Sequence, residues 1–441
     1  MAKAKSKKIM LEDAIVPVDE QPYHIPENWC WTRIKHVSDV VTGSTPSKKH
    51  AEYYGGDFPF FKPADLEAGD NVVEATEYLS EEGKNVSRII PKLSTAVCCI
   101  GSIGKTGLIR VEGTTNQQIN SMIPKINPLY LYYYSKSNVF IEELWNKSTA
   151  TTISLVNKKN METNTIPLAP LAEQKRIVEQ IESLFSKLDE AKEKAQEVID
   201  GYEARNAAVY NDAFSGRLTA QWRKDNYKEN KWETKRFDEV ADIKSNLVEP
   251  SNYFEFPHIA PDNIEKRTGI LLDYHTIAED GVKSRKHRFY AGQILYSKIR
   301  PYLSKVVMVD FDGLCSADMY PIEAKENTKY LLYYMLSDMF LEQASSAGSR
   351  SVLPKINQKE LSAIKVRITS DEEQKEVVRI LDYLLPMMQQ VRDKAVQVVD
   401  NIDAIKKSIL AKAFRGKLGT NIPEDESAME LLKIILNKGE C

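Results

Sequence analysis

The chain predicts a mixed α+β fold: two α/β blocks joined by two long helices that pair as an antiparallel coiled coil, with pseudo-two-fold character. Three observations carry this expectation. The sequence repeats at a spacing of 200 residues: PLAEQKRIVEQIESLFSKLD around Glu173 is answered by SDEEQKEVVRILDYLLPMMQ around Glu373, and FSGRL at Phe214 by FRGKL at Phe414. The copies stay in register without a gap from Tyr130 to Leu218 and from Tyr330 to Leu418. Each copy carries a heptad stripe, preceded by a block of short apolar runs that Gly, Pro and Asn punctuate as they do strands.

Residues 1–25 read as an arm: a basic stretch, a short helix near Leu11 and the linker PVDEQPYHIP. The first block, 26–168, has strand-like runs such as TAVCCI and TGLIRV. One helix is expected inside it, PLYLYYYSKSNVFIEEL, with Asn127 as N-cap and Pro128 at the first helical position. In the first helical region, 169–218, Ile177, Ile181, Leu184, Leu188, Ala191, Ala195, Val198 and Tyr202 alternate steps of four and three, a heptad seam. Gly216 supplies the positive φ that ends such a helix. A polar linker, 219–231, leads to the second block, 232–368, which restarts with WETKRFDEVADI against WCWTRIKHVSDV. The second helical region, 369–418, has its seam at Val377, Leu381, Leu384, Met388, Val391, Ala395, Val398, Ile402, Ile405 and Ile409. Pro386 cannot donate its backbone N–H and would clash with the carbonyl of Asp382, so a kink or break is expected there. The tail, 419–441, is acidic and then helical. Each helix of some 40 residues would span about 60 Å. Matched seams argue for pairing, and the antiparallel sense follows from symmetry.

Composition narrows the function classes. A hydrophobic content of 42% and a charged content of 28% describe an ordinary globular protein. The formal net charge of −3 gives no global preference for a polyanion. Five cysteines (Cys30, Cys98, Cys99, Cys315, Cys441) and six scattered histidines lack metal-site spacing, and the simple reading is a reduced, cytoplasmic compartment. No apolar run is long enough for a transmembrane helix, so no membrane partner is expected, and the basic start lacks the apolar core of a secretory signal.

Catalytic motifs fail on inspection. GSIGKT at Gly101 resembles the end of a phosphate-binding loop, but Cys99 stands where its first glycine belongs. NPLY at Asn127 resembles an adenine-methyltransferase site, yet it reads better as a capped helix start, repeated as NTKY at Asn327. Local charge points elsewhere. Gly281 to Val309 holds seven basic residues (Lys283, Arg285, Lys286, Arg288, Lys298, Arg300, Lys305) and no acid. Lys84 to Arg110 holds five (Lys84, Arg88, Lys92, Lys105, Arg110), again without an acid. A lone basic run is usually a solvated face, but recurrence in both blocks favours two nucleic-acid surfaces. Lys and Arg would take phosphates, while Asn116, Gln117, Gln118 or Arg300 would reach base edges. A rigid rod between the blocks would hold two half-sites about one DNA turn apart.

These residues resemble a known family, the specificity subunits of type I restriction–modification systems. In the first half the resemblance rests on IPENWCWTRIKHVSDVVTGSTPSKKHAEYYGGDFPFFKPADL, IGSIGKTGLI, TNQQINSMIP and IPLAPLAEQKRIVEQIESLF. In the second it rests on ILYSKIRPYLSKVV, LCSADMYPIE, EEQKEVVRILDYL and FRGKL, and it extends to PEDESAMELLKII in the tail. The order and duplication of these segments carry the resemblance. The resemblance implies two target-recognition domains, each reading one half of a bipartite, asymmetric double-stranded DNA site in the major groove. It implies a coiled coil that sets the spacer. It implies two methyltransferase subunits that bind S-adenosylmethionine and methylate adenine, two restriction (motor) subunits that can join and use ATP and Mg²⁺, and no catalytic residue or cofactor in this chain.

Carried over residue by residue, the family's loop after the first strand falls on Thr42, Gly43, Ser44, Thr45 and Pro46. Its central strand-loop falls on Ser102, Gly104 and Lys105, and in the second half on Ser297, Lys298, Arg300, Tyr302 and Lys305. With Lys283, Arg285 and Lys286 these are the candidate DNA contacts. Pro386 and the SDEEQ lead depart from the family pattern and put the straightness of the second helix in question. Two other classes compete: a self-contained adenine methyltransferase using NPLY, which would transfer methyl groups alone, and a purely structural connector, which would not retain DNA even with partners present.

Overall fold

A computed structural model describes residues 10–149, 154–347 and 354–438. The basic start of the arm and Cys441 lie outside the described residues. The chain divides into two compact units. One comprises residues up to Glu193 together with those from Val398 onward, the other Lys194–Gln397. Each unit therefore contains one α/β block and a stretch of both long helices.

In the first unit, strands Cys30–Arg33 and Thr165–Leu168 pair antiparallel and bring the two ends of the block together. One four-stranded sheet runs in the order Ser38–Thr42, Ile119–Pro124, Thr95–Cys98, Thr106–Leu108. A second runs Glu77–Leu79, Tyr54–Phe61, Gly113–Thr115, Ile89–Ile90. The second unit repeats the plan. Glu233–Arg236 pairs with Lys365–Ile368, and one sheet runs Ala241–Ile243, Met319–Ala324, Ile294–Ser297, Val306–Met308. Its other sheet gains an edge strand, Leu247–Val248, beside Lys286–Phe289.

The expected single helix after Asn127 is two. Asn127 does cap Pro128–Ser135 from its side chain, with Pro128 at the start. A second helix, Asn138–Asn146, begins at Ser137, whose hydroxyl accepts from Phe140 N–H. A serine competes for backbone donors and suits a cap better than a helix interior, which is why the run breaks there.

The long helices pair antiparallel within each unit. In the first, Lys406 bonds Asp189, and Arg176 reaches Asp425 in the tail beyond the second helix. In the second, Tyr202 bonds Gln389, and Thr219, beyond the end of the first helix, bonds Glu373 at 2.6 Å. The first helix runs Leu171–Asp200 and resumes as Tyr202–Phe214. The second is one helix from Asp371 to Ala413 with Pro386 inside it, so the chain does not break there. The discontinuity thus falls at Gly201 rather than at the proline. Glycine gains most from leaving helical geometry, and the flanking bonds Gly201 N–H to Glu197 (3.0 Å) and Arg205 N–H to Gly201 (3.1 Å) persist.

The seam is not uniformly core. Ile177, Ile181, Val377 and Leu381 are buried, where the blocks also cover them, as are Ala195, Ala395 and Ile402. Leu184, Leu188, Val198, Leu384 and Met388 are half-buried. Ala191 is exposed, Val391 is 50% exposed and Val398 43%. Two helices alone leave the flanks of a heptad stripe open to water unless a third element closes them.

The repeated sequence motifs fasten block to helix. Phe414 packs edge-on against Tyr130 and Tyr134, and Phe214 against Tyr330 and Tyr334. Gly416 and Gly216 follow at φ +67° and +79°; a Cβ on Gly416 would meet Pro26 at 2.3 Å. Glu173 and Glu373 are buried at the helix starts. Glu173 accepts from Trp29 Nε1 (2.7 Å), Asn421 Nδ2 (2.8 Å) and Thr420. Glu373 accepts from Trp232 Nε1 (3.0 Å), Thr219, Thr369 and Arg223. Each next residue, Gln174 or Gln374, takes the backbone N–H of Asn127 or Asn327. The helix Ala428–Lys438 buries Leu432 and Ile435 in the first unit's core, with Ala428 N–H on Asn28.

Candidate nucleic-acid interface

In the first unit the structure joins two candidate segments some 70 residues apart. Gly43 N–H donates to Ile119 and Ser44 N–H to Thr115, both at 2.9 Å. A Cβ on Gly43 would lie 2.1 Å from the Asn116 carbonyl, so only glycine permits this approach. Thr42 Oγ1 bonds Asn120 Oδ1 at 2.7 Å, and Thr45 bonds Gln117. Asn116 is buried, and its Nδ2 donates to Gln118 Oε1 at 3.0 Å. Thr42, Gly43, Ser44, Thr45, Asn116, Gln117 and Gln118 therefore form one polar patch. Arg88 joins it, donating to the Thr42 carbonyl at 2.7 Å. Gly104, at φ +88°, lets the turn after Thr95–Cys98 carry Ser102 and Lys105 to the surface. Lys105 is already paired with Glu67 at 2.6 Å.

In the second unit the basic residues divide by environment. Lys283, Arg300 and Tyr302 are exposed. Arg285 pairs with Glu249 at 3.2 Å and donates to Leu247. Lys286 is buried, its Nζ on Ser284 Oγ at 2.6 Å, and Lys305 Nζ donates to Pro261 at 2.7 Å, so neither ammonium is free as it stands. Ser297 is buried and spends its hydroxyl on Ile299. Lys298 lies over the Tyr320 ring at 5.1 Å, near Asp318, which Lys355 pairs at 2.9 Å. Burial pulls Lys286 and Lys298 below the usual lysine range, with Asp318 acting the other way. Arg300 and Ser304 adopt left-handed backbone on either side of Pro301–Leu303, at φ +48° and +44°. Such geometry is costly for side chains with a Cβ.

Sequence reasoning passed over Lys355, Asp318 and the surroundings of Arg288. Arg288 lies over the rings of Tyr253, Phe256 and Tyr290. The signal for that cage was the aromatic density of NYFEF before the strand. Among the described residues, no group of three or more His, Cys, Asp or Glu is placed to hold a metal, and no helix is long and apolar enough to cross a membrane.

The geometry defines two copies of one framework, each displaying polar and basic residues from loops at sheet ends. The sequence matches the profile of the type I restriction modification DNA specificity domain twice, over residues 26–199 and 229–394. It is 39% identical over 422 residues to the specificity subunit of the type I restriction enzyme EcoDI of Escherichia coli, with 89% of each chain covered. It is 25% identical to the MjaIX specificity subunit of Methanocaldococcus jannaschii, over 89% of this chain and 94% of that one. In fold it is similar to the crystal structure of the HsdS subunit from Thermoanaerobacter tengcongensis, with a TM-score of 0.67 at 18% identity, covering 91% of this chain and all of that one. The chain belongs to the family of type I restriction–modification specificity subunits, and it carries two target-recognition domains.

Proposed function

We propose that the chain is the non-catalytic DNA-reading scaffold of a cytoplasmic type I restriction–modification complex. Each recognition domain reads one half of a bipartite, asymmetric site through the major groove. The paired helices set the spacer and dock two methyltransferase subunits. Those subunits supply S-adenosylmethionine and methylate adenine N6, and two restriction subunits can add ATP- and Mg²⁺-dependent cleavage. One observation carries this reading: the strand plan is built twice, while the residues displayed at corresponding loops differ. A shared framework with different displays suits a target whose halves differ.

Binding to a split site should be salt-sensitive and should strengthen when methyltransferase subunits are added. Lys298→Ala with Arg300→Ala should weaken that binding and flatten its salt dependence by about two units of slope, read by fluorescence anisotropy from low to moderate salt. Unchanged binding would remove those two residues from the interface. Methyl transfer from a labelled donor by this chain alone would contradict the scaffold role.

A further inference from the structure

We propose that Arg288 is a specificity-determining residue of the second recognition domain, reading one guanine of the target through its guanidinium edge; this rests on the DNA-reading function proposed above. Arg288 sits half-buried on strand Lys286–Phe289, next to Phe289, which packs into the core. Its guanidinium carbon lies 4.8 Å from the ring centroid of Tyr290, 5.4 Å from that of Tyr253 and 5.9 Å from that of Phe256. Three rings hold the planar fork in place before any ligand arrives.

Among the described residues, Arg288 Nε is buried without a hydrogen-bond partner. In the same block Arg236 pairs with Asp238, Arg267 with Asp338 and Arg285 with Glu249, whereas Arg367, over the Trp232 ring, shares a buried unpartnered Nε. Other buried polar atoms of this block also lack a partner, among them His287 Nδ1, Tyr296 OH and Arg367 Nε; what sets Arg288 apart is its cage of three rings. Arg288 N–H donates to the Asn246 carbonyl at 3.2 Å, and Asn246 Oδ1 is buried without a partner.

A planar fork donates to two oxygens or nitrogens along one edge. Guanine N7 and O6 in the major groove offer that, and so does a phosphate. Register decides between them. Arg288 pairs with Leu314 as Ile89 pairs with Thr114 in the first domain, each one residue ahead of the glycine pair Phe289–Gly313 or Ile90–Gly113. Ile89 is 37% exposed and carries no charge. Phosphates are alike in both half-sites, so a phosphate contact gives no reason for the two domains to differ here. A position that is arginine in one reader and isoleucine in the other fits a base that differs between half-sites.

The test uses the assembled complex with its methyltransferase subunits. Wild type, Arg288→Lys and Arg288→Ala are compared by sequencing methylated adenines on a random-sequence DNA library. Wild type should show an invariant G·C pair in one half-site. Both variants should relax preference at that pair by roughly 10- to 100-fold, leaving the other half-site unchanged. The lysine variant keeps the charge and the packing, so it covers the case in which the alanine variant fails to fold. Uniformly weaker methylation with an unchanged motif would mean a phosphate contact. A lower thermal midpoint with an unchanged motif would mean a packing role. Either result overturns the proposal while leaving the DNA-reading function standing. A wild-type complex without any sequence preference would overturn that function, and this proposal with it.

Discussion

Glu173 and Glu373 occupy the same place in the repeat, but they are held differently. Among the described residues the hydrogen-bond donors to the Glu173 carboxylate are the neutral side chains of Trp29, Asn421 and Thr420, whereas Glu373 also has the Arg223 guanidinium. Removing one neutral donor from a buried carboxylate costs about 1–3 kcal/mol, and a retained cation softens the loss. Trp29→Phe should therefore destabilise the protein more than Trp232→Phe, as read from urea denaturation midpoints. Equal losses would show that Arg223 contributes nothing. His36 supplies a second test. Its ring is buried with Nε2 unpartnered, and burial, reinforced by Lys35, Arg33 and Lys125, lowers its pKa from 6.5 to about 4. Between those values the unfolded chain binds a proton that the folded chain refuses, so stability falls as pH drops through that window. His36→Gln should flatten this part of the pH profile of the thermal midpoint relative to wild type. Identical slopes would mean that His36 is not buried neutral.

At the scale of elements, Pro386 and Gly201 both disfavour the long helices; Pro386 lies inside the second, and Gly201 stands at the break in the first. Pro386 is exposed, so replacing it forfeits no packing. Pro386→Ala should stabilise by about 1–3 kcal/mol and Gly201→Ala by up to about 1 kcal/mol, both read from denaturant midpoints. At Gly201 the added Cβ would meet only the far end of Arg205, which can swing aside. Destabilisation by Pro386→Ala would mean that the fold requires the bend a proline imposes. The helices were legible because a heptad period is a local signal, written at every third or fourth residue. The proline's outcome was not, because helix continuity there depends on tertiary support; Asp382, four residues before it, is held by Lys329 and Tyr333. The split at Ser137 was a cap hidden inside an apolar run. The basic stretches could be read from spacing, but the junction of Thr42–Thr45 with Asn116–Gln118 depends on strand order. The pairing that silences Lys105, and the burial of Lys286 and Ser297, likewise arise from three-dimensional neighbours that spacing does not encode.

At the scale of the whole chain, duplication was the most informative feature, and the structure gives it physical content. Each unit repeats the strand pair that closes the block, the tyrosine-bearing helix, the phenylalanine that packs against it and the buried Glu-Gln pair. Residues that repeat hold the frame; residues that do not, such as Ile89 and Arg288, distinguish the two readers. The central claim is that one chain reads two unlike half-sites at a fixed separation. Mapping methylated adenines on genomic DNA exposed to the complex of this chain with its methyltransferase subunits tests it most directly. The account predicts one motif with two different specified halves and a spacer of constant length. A continuous motif, a palindromic one or a spacer that varies from site to site would contradict it.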